Sequence, residues 1–495
     1  MDYILYWNEA ALEANKVSHT NGKKEQTGPT LSSRALAMVH LAMYEAYARI
    51  TNTPATLPFY YPAAMNVPAP PAGASASAAV SAAAHSVLSK LFESQKSFFD
   101  RKHEEAMISG GGVMEGHAYG LLIAQIVLKD RQNDPDASND GYAYGTARSN
   151  HRPDPDNHGQ GNHAPFYGAK SKGFAITQRW ELLKPPFDNA EYRRALKEVL
   201  GKGISPALMG TLSSSITKRT YDETLIGLYW GYDGAPGLGT PPRLYNQIVR
   251  QIAINKANTE SDNARLFALV NIAMGDAGIL AWDQKYVHNL WRPVVGIREH
   301  DTSMGWDTAA GNNINNDCDP GWLPLGAPAT NTSNPNVVPQ QTAHAYPYNQ
   351  ITSGKVKNFT PNFPAYPSGH ATFGAAALHI TRLFYGVPVN NRAPDTLFNG
   401  LYFVSEELNG QNQDNEGTVR PRHARNFSNG LWQMIEENGR SRVYLGVHWV
   451  FDAFAVKANG QMDLSKMVGG VPLGLKIAED IFSSGMTQSP VMPRY

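Results

Sequence analysis

Apolar residues along this chain recur mostly at three- and four-residue intervals, the period of helices that bury one face. Leu36, Val39, Met43 and Ala46 share such a face, in a helix that Ser32 or Ser33 can cap. Residues 74–92 are rich in alanine, with Val80, Val87, Leu88 and Leu91 at helical spacing. Residues 112–131 repeat the pattern through Leu121, Leu122, Ile126 and Leu128, and Asp262 is placed to cap a further long helix with Leu266, Leu269, Val270, Ala273 and Leu280. Alternation of period two, the mark of a half-buried strand, is scarce. The pattern predicts an all-α fold of packed helices joined by long irregular loops. Three such loops stand out: 52–74, rich in proline and alanine; 132–174, polar and holding His151, His158 and His163; and 300–367, rich in Pro, Asn and Thr. Loops this long within a compact protein are usually functional or disordered. The three histidines read as residues of a solvated loop rather than a metal site.

At 495 residues the chain exceeds the size at which one core stops growing, so two core-forming units are expected. Charge sharpens the list of partners. Formal net charge is zero, whereas nucleic-acid binders and membrane-surface proteins usually carry a basic excess, so neither partner is expected. The single cysteine, Cys318, excludes an internal disulfide and a cysteine-based zinc site. The start, MDYILYW, lacks the basic opening and apolar run of a leader. No stretch approaches the roughly 20 apolar residues that span a bilayer. The chain as given is expected to be soluble, with its compartment open.

Three segments carry chemistry. In the first, WDQKYVHNLWRP from Trp282 to Pro293, Lys285 and Arg292 stand seven apart, about two helical turns, which would put both cations on one face. Pro293 disfavours helix at Arg292 and leaves it near a terminus. A solvated basic face is the plainer reading of that pair alone. The second segment, FPAYPSGHATFG from Phe363, leads through a proline turn into Ser368, Gly369 and His370 and then an apolar helix. Helix N-termini expose backbone N–H groups to anions, and Ser368 adds a hydroxyl. By itself this is equally a serine-capped helix with a packed histidine. The third, GRSRVYLGVHWVFD from Gly439, offers Arg442, an imidazole six residues on at His448, and Asp452 four after that, one turn away if helical and able to orient the ring. A structural His–Asp pair is again the plainer reading in isolation.

Taken together the segments say more than any one of them. Lys285, Arg292 and Arg442 supply three positive charges, which suits a tetrahedral oxyanion such as phosphate or vanadate. Ser368 and Gly369 add neutral donors. Two histidines remain, with uses as an acid–base group and as a nucleophile or metal ligand.

The order Lys-x6-Arg-Pro, Pro-Ser-Gly-His, Ser-Arg-x5-His-x3-Asp resembles the three-part signature shared by type 2 phosphatidic acid phosphatases, bacterial class A acid phosphatases and vanadium haloperoxidases. Further stretches resemble the fungal-type vanadium chloroperoxidases: YILYWN from Tyr3, YWGYDGAPGLGTPPR from Tyr229, RLFAL from Arg265, WLPLGAPA from Trp322 and FPAYPSGH from Phe363. The likeness spans almost the whole chain, apart from an inserted stretch around residues 330–360. It implies two four-helix bundles, an N-terminal one over 1–210 and a C-terminal one over 211–495 that carries a vanadate site. It implies vanadate as cofactor and hydrogen peroxide, chloride or bromide, and an organic acceptor as reactants. His448 would bond vanadium axially. Lys285, Arg292, Ser368, Gly369 and Arg442 would hold the equatorial oxygens, with Lys285 also polarising peroxide toward the halide. His370 would be the acid–base catalyst, supported by Asp233. Phe363 and Trp282 would shape the halide side, where bromide-selective relatives carry histidine in place of Phe363. The same pocket fits two rival functions: an acid phosphatase with His448 as nucleophile, and a non-catalytic oxyanion-binding helical protein.

Overall fold

The computed structural model describes residues 1–51, 57–157, 160–187, 189–299, 318–330, 358–414, 417–486 and 490–495. His158 and most of the inserted stretch around 330–360 lie outside the described residues. The fold is all-α, with two short two-stranded antiparallel ribbons, Phe403–Val404 with Ala424–Arg425 and Ala455–Val456 with Met462–Asp463.

The N-terminal half contributes α1 (Tyr3–Ser18), α2 (Gly28–Thr51), α3 (Ala76–Leu91), α4 (Lys96–Glu105), α5 (Val113–Asp130), α6 (Tyr167–Lys170) and α7 (Ala190–Lys202). Then follow α8 (Tyr221–Tyr229), α9 (Pro241–Asn255), α10 (Glu260–His288), α11 (Pro293–Arg298), α12 (Gly369–Phe384), α13 (Gly430–Tyr444), α14 (Val450–Ala453) and α15 (Gly470–Ser484). Helices α2, α3 and α5 pack together, while α12 packs against α13 and α15. Helix α10 touches both groups, through α2 on one side and α12 on the other. Its 29 residues are long and apolar enough to cross a bilayer, yet 94% of its most apolar window is buried inside the protein, so it serves here as the central core helix. That all-round apolarity explains why it carries no amphipathic stripe.

Helix starts differ from expectation in an instructive way. Ser32 and Ser33 lie inside α2, which begins at Gly28 with Pro29 in its first turn, where the fixed proline φ suits a helix start. Ser33 turns its hydroxyl back to the Thr30 carbonyl. For α10 the cap is Thr259, and Asp262 is its reciprocal partner in a capping box. The expected helices at 74–92 and 112–131 are α3 and α5.

The long polar loop divides: residues 132–150 are exposed or half-buried, while most of 160–174 packs inside. His151 and His163 are both buried, His163 with its Nε2 3.0 Å from Thr30 Oγ1. Asp276 of α10 fixes the next stretch, accepting backbone N–H bonds from Phe174, Ala175 and Ile176 at 2.5, 2.8 and 2.9 Å. Polar composition misled for these two histidines because tertiary packing takes their part of the loop out of water.

His40 on α2 yields a prediction about stability. Its Nδ1 donates to the Leu36 carbonyl at 2.7 Å, so Nε2 accepts from the Asn8 amide at 2.8 Å. Burial pushes it down to about 4. The unfolded chain, with a histidine near ~6.5, therefore binds the extra proton first as pH falls. The contribution of His40 is complete above that value and is lost between it and about 4. In His40→Gln, which takes up no proton, the stability deficit relative to wild type should shrink by on the order of 3 kcal/mol between neutral and acidic pH. Thermal unfolding midpoints of the pair across that range test this, and a deficit constant with pH would refute it.

Candidate active site

The site forms where the end of α10, the start of α12, the end of α13 and the loops beside them meet. Helix α10 stops at His288 because Asn289 turns left-handed, at φ 48°, with its N–H bonded to the Lys285 carbonyl at 2.8 Å. Arg292 is then extended and Pro293 opens α11. Lys285 and Arg292 therefore do not share one helical face, as their spacing predicted; a turn brings them to the same site. The Phe363–Ser368 segment crosses this turn, with the Ala365 N–H on the Leu290 carbonyl at 2.9 Å. Ser368 caps α12, its hydroxyl accepting from Ala371 N–H at 3.4 Å. Arg442 sits in the last turn of α13, which ends at Tyr444 and is followed by a left-handed Gly446. That glycine has φ 73°, and a Cβ there would lie 2.4 Å from the Gly203 carbonyl oxygen, so only glycine lets the chain turn toward His448.

His448 and Asp452 are paired as their spacing suggested, by a different local route. His448 precedes α14, and Asp452 Oδ2 accepts both from His448 Nδ1 at 2.8 Å and from the Trp449 backbone N–H at 3.0 Å. With Nδ1 protonated, Nε2 keeps its lone pair and accepts from Arg292 Nη1 at 2.9 Å. The other contacts of Arg292 include the Phe363 carbonyl at 2.9 Å and the Val447 carbonyl at 2.8 Å. Lys285 is fully buried, with Nζ on the carbonyls of Pro364, Ala365 and Pro367 at 2.9, 3.2 and 2.5 Å. Arg442 forks onto Asp233, at 2.5 and 3.2 Å. The His370 ring donates from Nε2 to the Gly231 carbonyl at 2.6 Å.

Gly369, His370, Arg442, His448, Asp233, Trp282 and Phe363 line one small cavity, with about 20 Å³ of room for the centres of water molecules. Pro29, Pro241, Pro361 and Phe373 add apolar surface. Lys285, Arg292 and Ser368 stand behind this lining, acting on it through charge and through the loop carbonyls. Trp282 and Phe363 pack with ring centroids 4.8 Å apart, and Lys285 Nζ lies 5.1 Å from the Phe363 centroid. Asp233 is placed differently from expectation. Its carboxylate is taken by Arg442 and comes no nearer than 3.9 Å to His370 Nε2. The nearest partner of His370 is a backbone carbonyl, which no side-chain pattern announces. His163, behind the Trp282–Phe363 wall at ring distances of 6.0 and 6.1 Å, was also missed.

Electrostatically the site is an excess of buried positive charge. Burial, then Arg292, hold Lys285 well below the usual lysine range. Burial, then the neighbouring guanidiniums, push His448 and His370 well down, so both rings are neutral. Burial raises the Asp452 carboxyl to about 7 and also raises that of Asp233. Among the described residues Lys285 has no carboxylate within 4 Å, and Arg442 Nε is buried without an acceptor. Cations held this way, beside a neutral imidazole offering a lone pair, call for an anion with several oxygens. Vanadate fits that donor set. No cluster of three or more His, Cys, Asp or Glu able to hold a bare metal cation occurs among the described residues.

Comparison with known proteins agrees. The vanadium chloroperoxidase N-terminal domain matches residues 1–161, and the VCPO second helical-bundle domain matches residues 265–463. The vanadium chloroperoxidase of Curvularia inaequalis is 34% identical, over 99% of this chain and 91% of its own length. Among solved structures, a bacterial vanadium-dependent iodoperoxidase has a TM-score of 0.58 at 18% identity, covering 96% of this chain and 95% of its own. A holo-type bacterial vanadium-dependent chloroperoxidase gives 0.57 at 13% identity, covering 95% and 96%. At those identities the two structures speak for the fold. The 34% identity running through 99% of the chain, with both domain matches in order, places this protein in the vanadium chloroperoxidase family.

Proposed function

We propose that this protein is a vanadium-dependent haloperoxidase that oxidises chloride as well as bromide with hydrogen peroxide, releasing hypohalous acid that halogenates organic acceptors. The observation that carries the reading is His448, lining the cavity with its Nδ1 fixed by Asp452 and its Nε2 held as an acceptor by Arg292, with Arg442 in the lining and Lys285 behind it. Residues 1–210 are read as one bundle and 211–495 as a second that carries every residue assigned to the site.

Vanadate, when bound, supplies the Lewis acid that activates hydrogen peroxide toward halide. His448 Nε2 would hold the metal, and Arg292, Arg442, Ser368 and the Gly369 N–H at the start of α12 would hold oxygens. Arg442 is preorganised by the Asp233 carboxylate and Arg292 by the Phe363 and Val447 carbonyls, while Arg292 Nη1, which donates to His448 Nε2 at 2.9 Å, would give up that contact to the metal. Lys285 adds fixed charge from behind the Pro364–Pro367 carbonyls. His370, with Nε2 committed to Gly231, has Nδ1 left to take up or deliver a proton. Asp233 positions Arg442.

Chloride is harder to oxidise than bromide, so its oxidation requires concentrated positive charge in a dry pocket. Phe363 meets that need: it is buried against Trp282, adds no hydrogen-bonding side chain, and lies within 5.1 Å of both Lys285 Nζ and the Arg292 guanidinium carbon. A histidine there would bring hydrogen bonds and water. Metal-free protein reconstituted with orthovanadate should chlorinate a monochlorodimedone-type acceptor with chloride as sole halide, and inorganic phosphate should compete with vanadate. Phe363→His should lose about tenfold or more of the chlorination rate, about 1.4 kcal/mol of barrier, while keeping more of its bromination. Bromination without chlorination by wild type would refute the chloride assignment. Hydrolysis of a chromogenic phosphate ester with no response to vanadate and peroxide would refute the whole reading.

A further inference from the structure

His370 is held by a peptide group rather than a side chain, and that peptide is itself held from its far side. The bond between Gly231 and Tyr232 presents its C=O to His370 Nε2 at 2.6 Å and its N–H to Glu407 Oε1 at 2.8 Å. Glu407 is buried in a 3₁₀ turn, Glu406–Leu408. Its other oxygen, Oε2, accepts from Arg420 Nη2 at 3.0 Å, and Arg420 also donates from Nε to the Glu407 carbonyl at 3.1 Å and from Nη1 to the Pro328 carbonyl at 3.1 Å.

The peptide's setting is unusual. Tyr232 is a fully buried aromatic residue at φ 49°, a left-handed conformation that a bulky side chain rarely adopts. Such a conformation persists only where surrounding contacts over-determine it. Here the phenol donates to Gln247 Oε1 at 3.0 Å and accepts from the Glu406 N–H at 2.9 Å, while Ser405 Oγ donates to the Tyr229 carbonyl at 2.6 Å. Gly231 lies so close to Glu407 that a Cβ there would sit 2.3 Å from Oε1. The segment 405–407 thus clamps the turn from Tyr229 to Asp233, which also carries the carboxylate that holds Arg442.

We propose that Glu407 is a positioning residue for His370, acting through the Gly231–Tyr232 peptide to fix the Nε2–H tautomer and leave Nδ1 as the atom that exchanges protons in the cavity. A carboxylate accepting from a peptide N–H pushes electron density toward the carbonyl at the other end of the same group, so the two hydrogen bonds strengthen one another. The arrangement is a carboxylate–histidine pair with a peptide inserted between its members. It assigns to Glu407 the support that Asp233, engaged by Arg442, does not provide directly. Arg420 holds Glu407 in register and favours its charged form: burial raises the carboxyl to about 7, and Arg420 is the largest influence in the opposite direction.

The kinetic part of this inference rests on the haloperoxidase reading; the structural part does not. In vanadate-free protein labelled with 15N-histidine, long-range proton–nitrogen correlation should show His370 with its proton on Nε2, assigned by difference from His370→Gln. Glu407→Gln keeps size and removes charge. It should spread His370 between tautomers and lower kcat by roughly 10–100-fold, with the halide KM and vanadate affinity little changed. A His370 protonated on Nδ1 in the wild type overturns the proposal, and that measurement needs no variant. So does a Glu407→Gln protein whose tautomer and kcat are unaltered, or one in which vanadate affinity falls as far as kcat, which would mark a merely structural role. A clear tautomer effect in a protein without halogenating activity would uphold the relay and refute the haloperoxidase reading instead.

Discussion

Replacing His448 by alanine is expected to abolish vanadate-dependent halide oxidation. The imidazole offers a nitrogen lone pair with a fixed tautomer: Asp452 takes the Nδ1 proton at 2.8 Å, and Nε2 accepts from Arg292 Nη1 at 2.9 Å at the edge of the cavity. Burial and three neighbouring cations push its pKa well down, so the ring stays neutral and the lone pair stays available even in mild acid. Arg442, Arg292 and the start of α12 survive the substitution, so an oxyanion is still attracted, more weakly and without a fixed axis. Loss of a single preorganised donor alone costs roughly 10²–10³-fold in an active site, and removing the metal–nitrogen bond goes beyond that. Halogenation rate against added orthovanadate, together with equilibrium dialysis of vanadate, checks both halves. His448→Ala retaining more than about a tenth of wild-type activity at saturating vanadate would remove His448 from the role of ligand.

How much of this could be read from the chain depends on which interaction sets each feature. The helices at 76–91 and 113–130 follow from apolar spacing, because a half-buried helix writes its face into its sequence. The start of α2 does not, since Ser32 and Ser33 have good capping chemistry but Pro29 starts the helix a turn earlier. That Arg292, Ser368, Gly369, His370, Arg442 and His448 come together was legible because each sits in a short motif whose local spacing survives folding. The geometry linking Lys285 to Arg292 was not: a seven-residue spacing is the same for a continuous helix as for the turn at Asn289 that replaces it. Least legible were contacts made by backbone. Gly231 holds His370 through a carbonyl that every residue possesses, and Lys285 is seated on three more. The buried His151 and His163 were hidden by the polar company they keep in sequence, which only tertiary packing removes from water.

His370→Ala separates proton handling from cofactor binding within the same cavity. His370 lies in the first turn of α12, and its carbonyl is tied by Tyr245 OH at 3.0 Å and Asn438 Nδ2 at 2.8 Å, so the backbone around Gly369 is fixed independently of the ring. Truncating the side chain therefore leaves the helix start, Arg442 and His448 in place. What disappears is the imidazole, whose Nε2 is committed to Gly231 and whose Nδ1 is the atom proposed to exchange protons. Burial and Arg442 hold the ring neutral before an anion arrives. A negatively charged oxyanion at the cavity opposes those cations and raises the ring's affinity for a proton, which gives the group both of the states that acid–base catalysis requires. Loss of such help typically slows turnover by ~10²–10⁴-fold. Vanadate affinity, held by His448, the two arginines and the helix start, should change far less. Turnover and dialysis measured side by side on His370→Ala and His448→Ala decide the matter: the first should lose kcat and keep vanadate, the second should lose both. Equal loss of vanadate affinity in the two variants would mean that His370 is part of the cofactor cradle, and the division of labour between the two histidines would have to be redrawn.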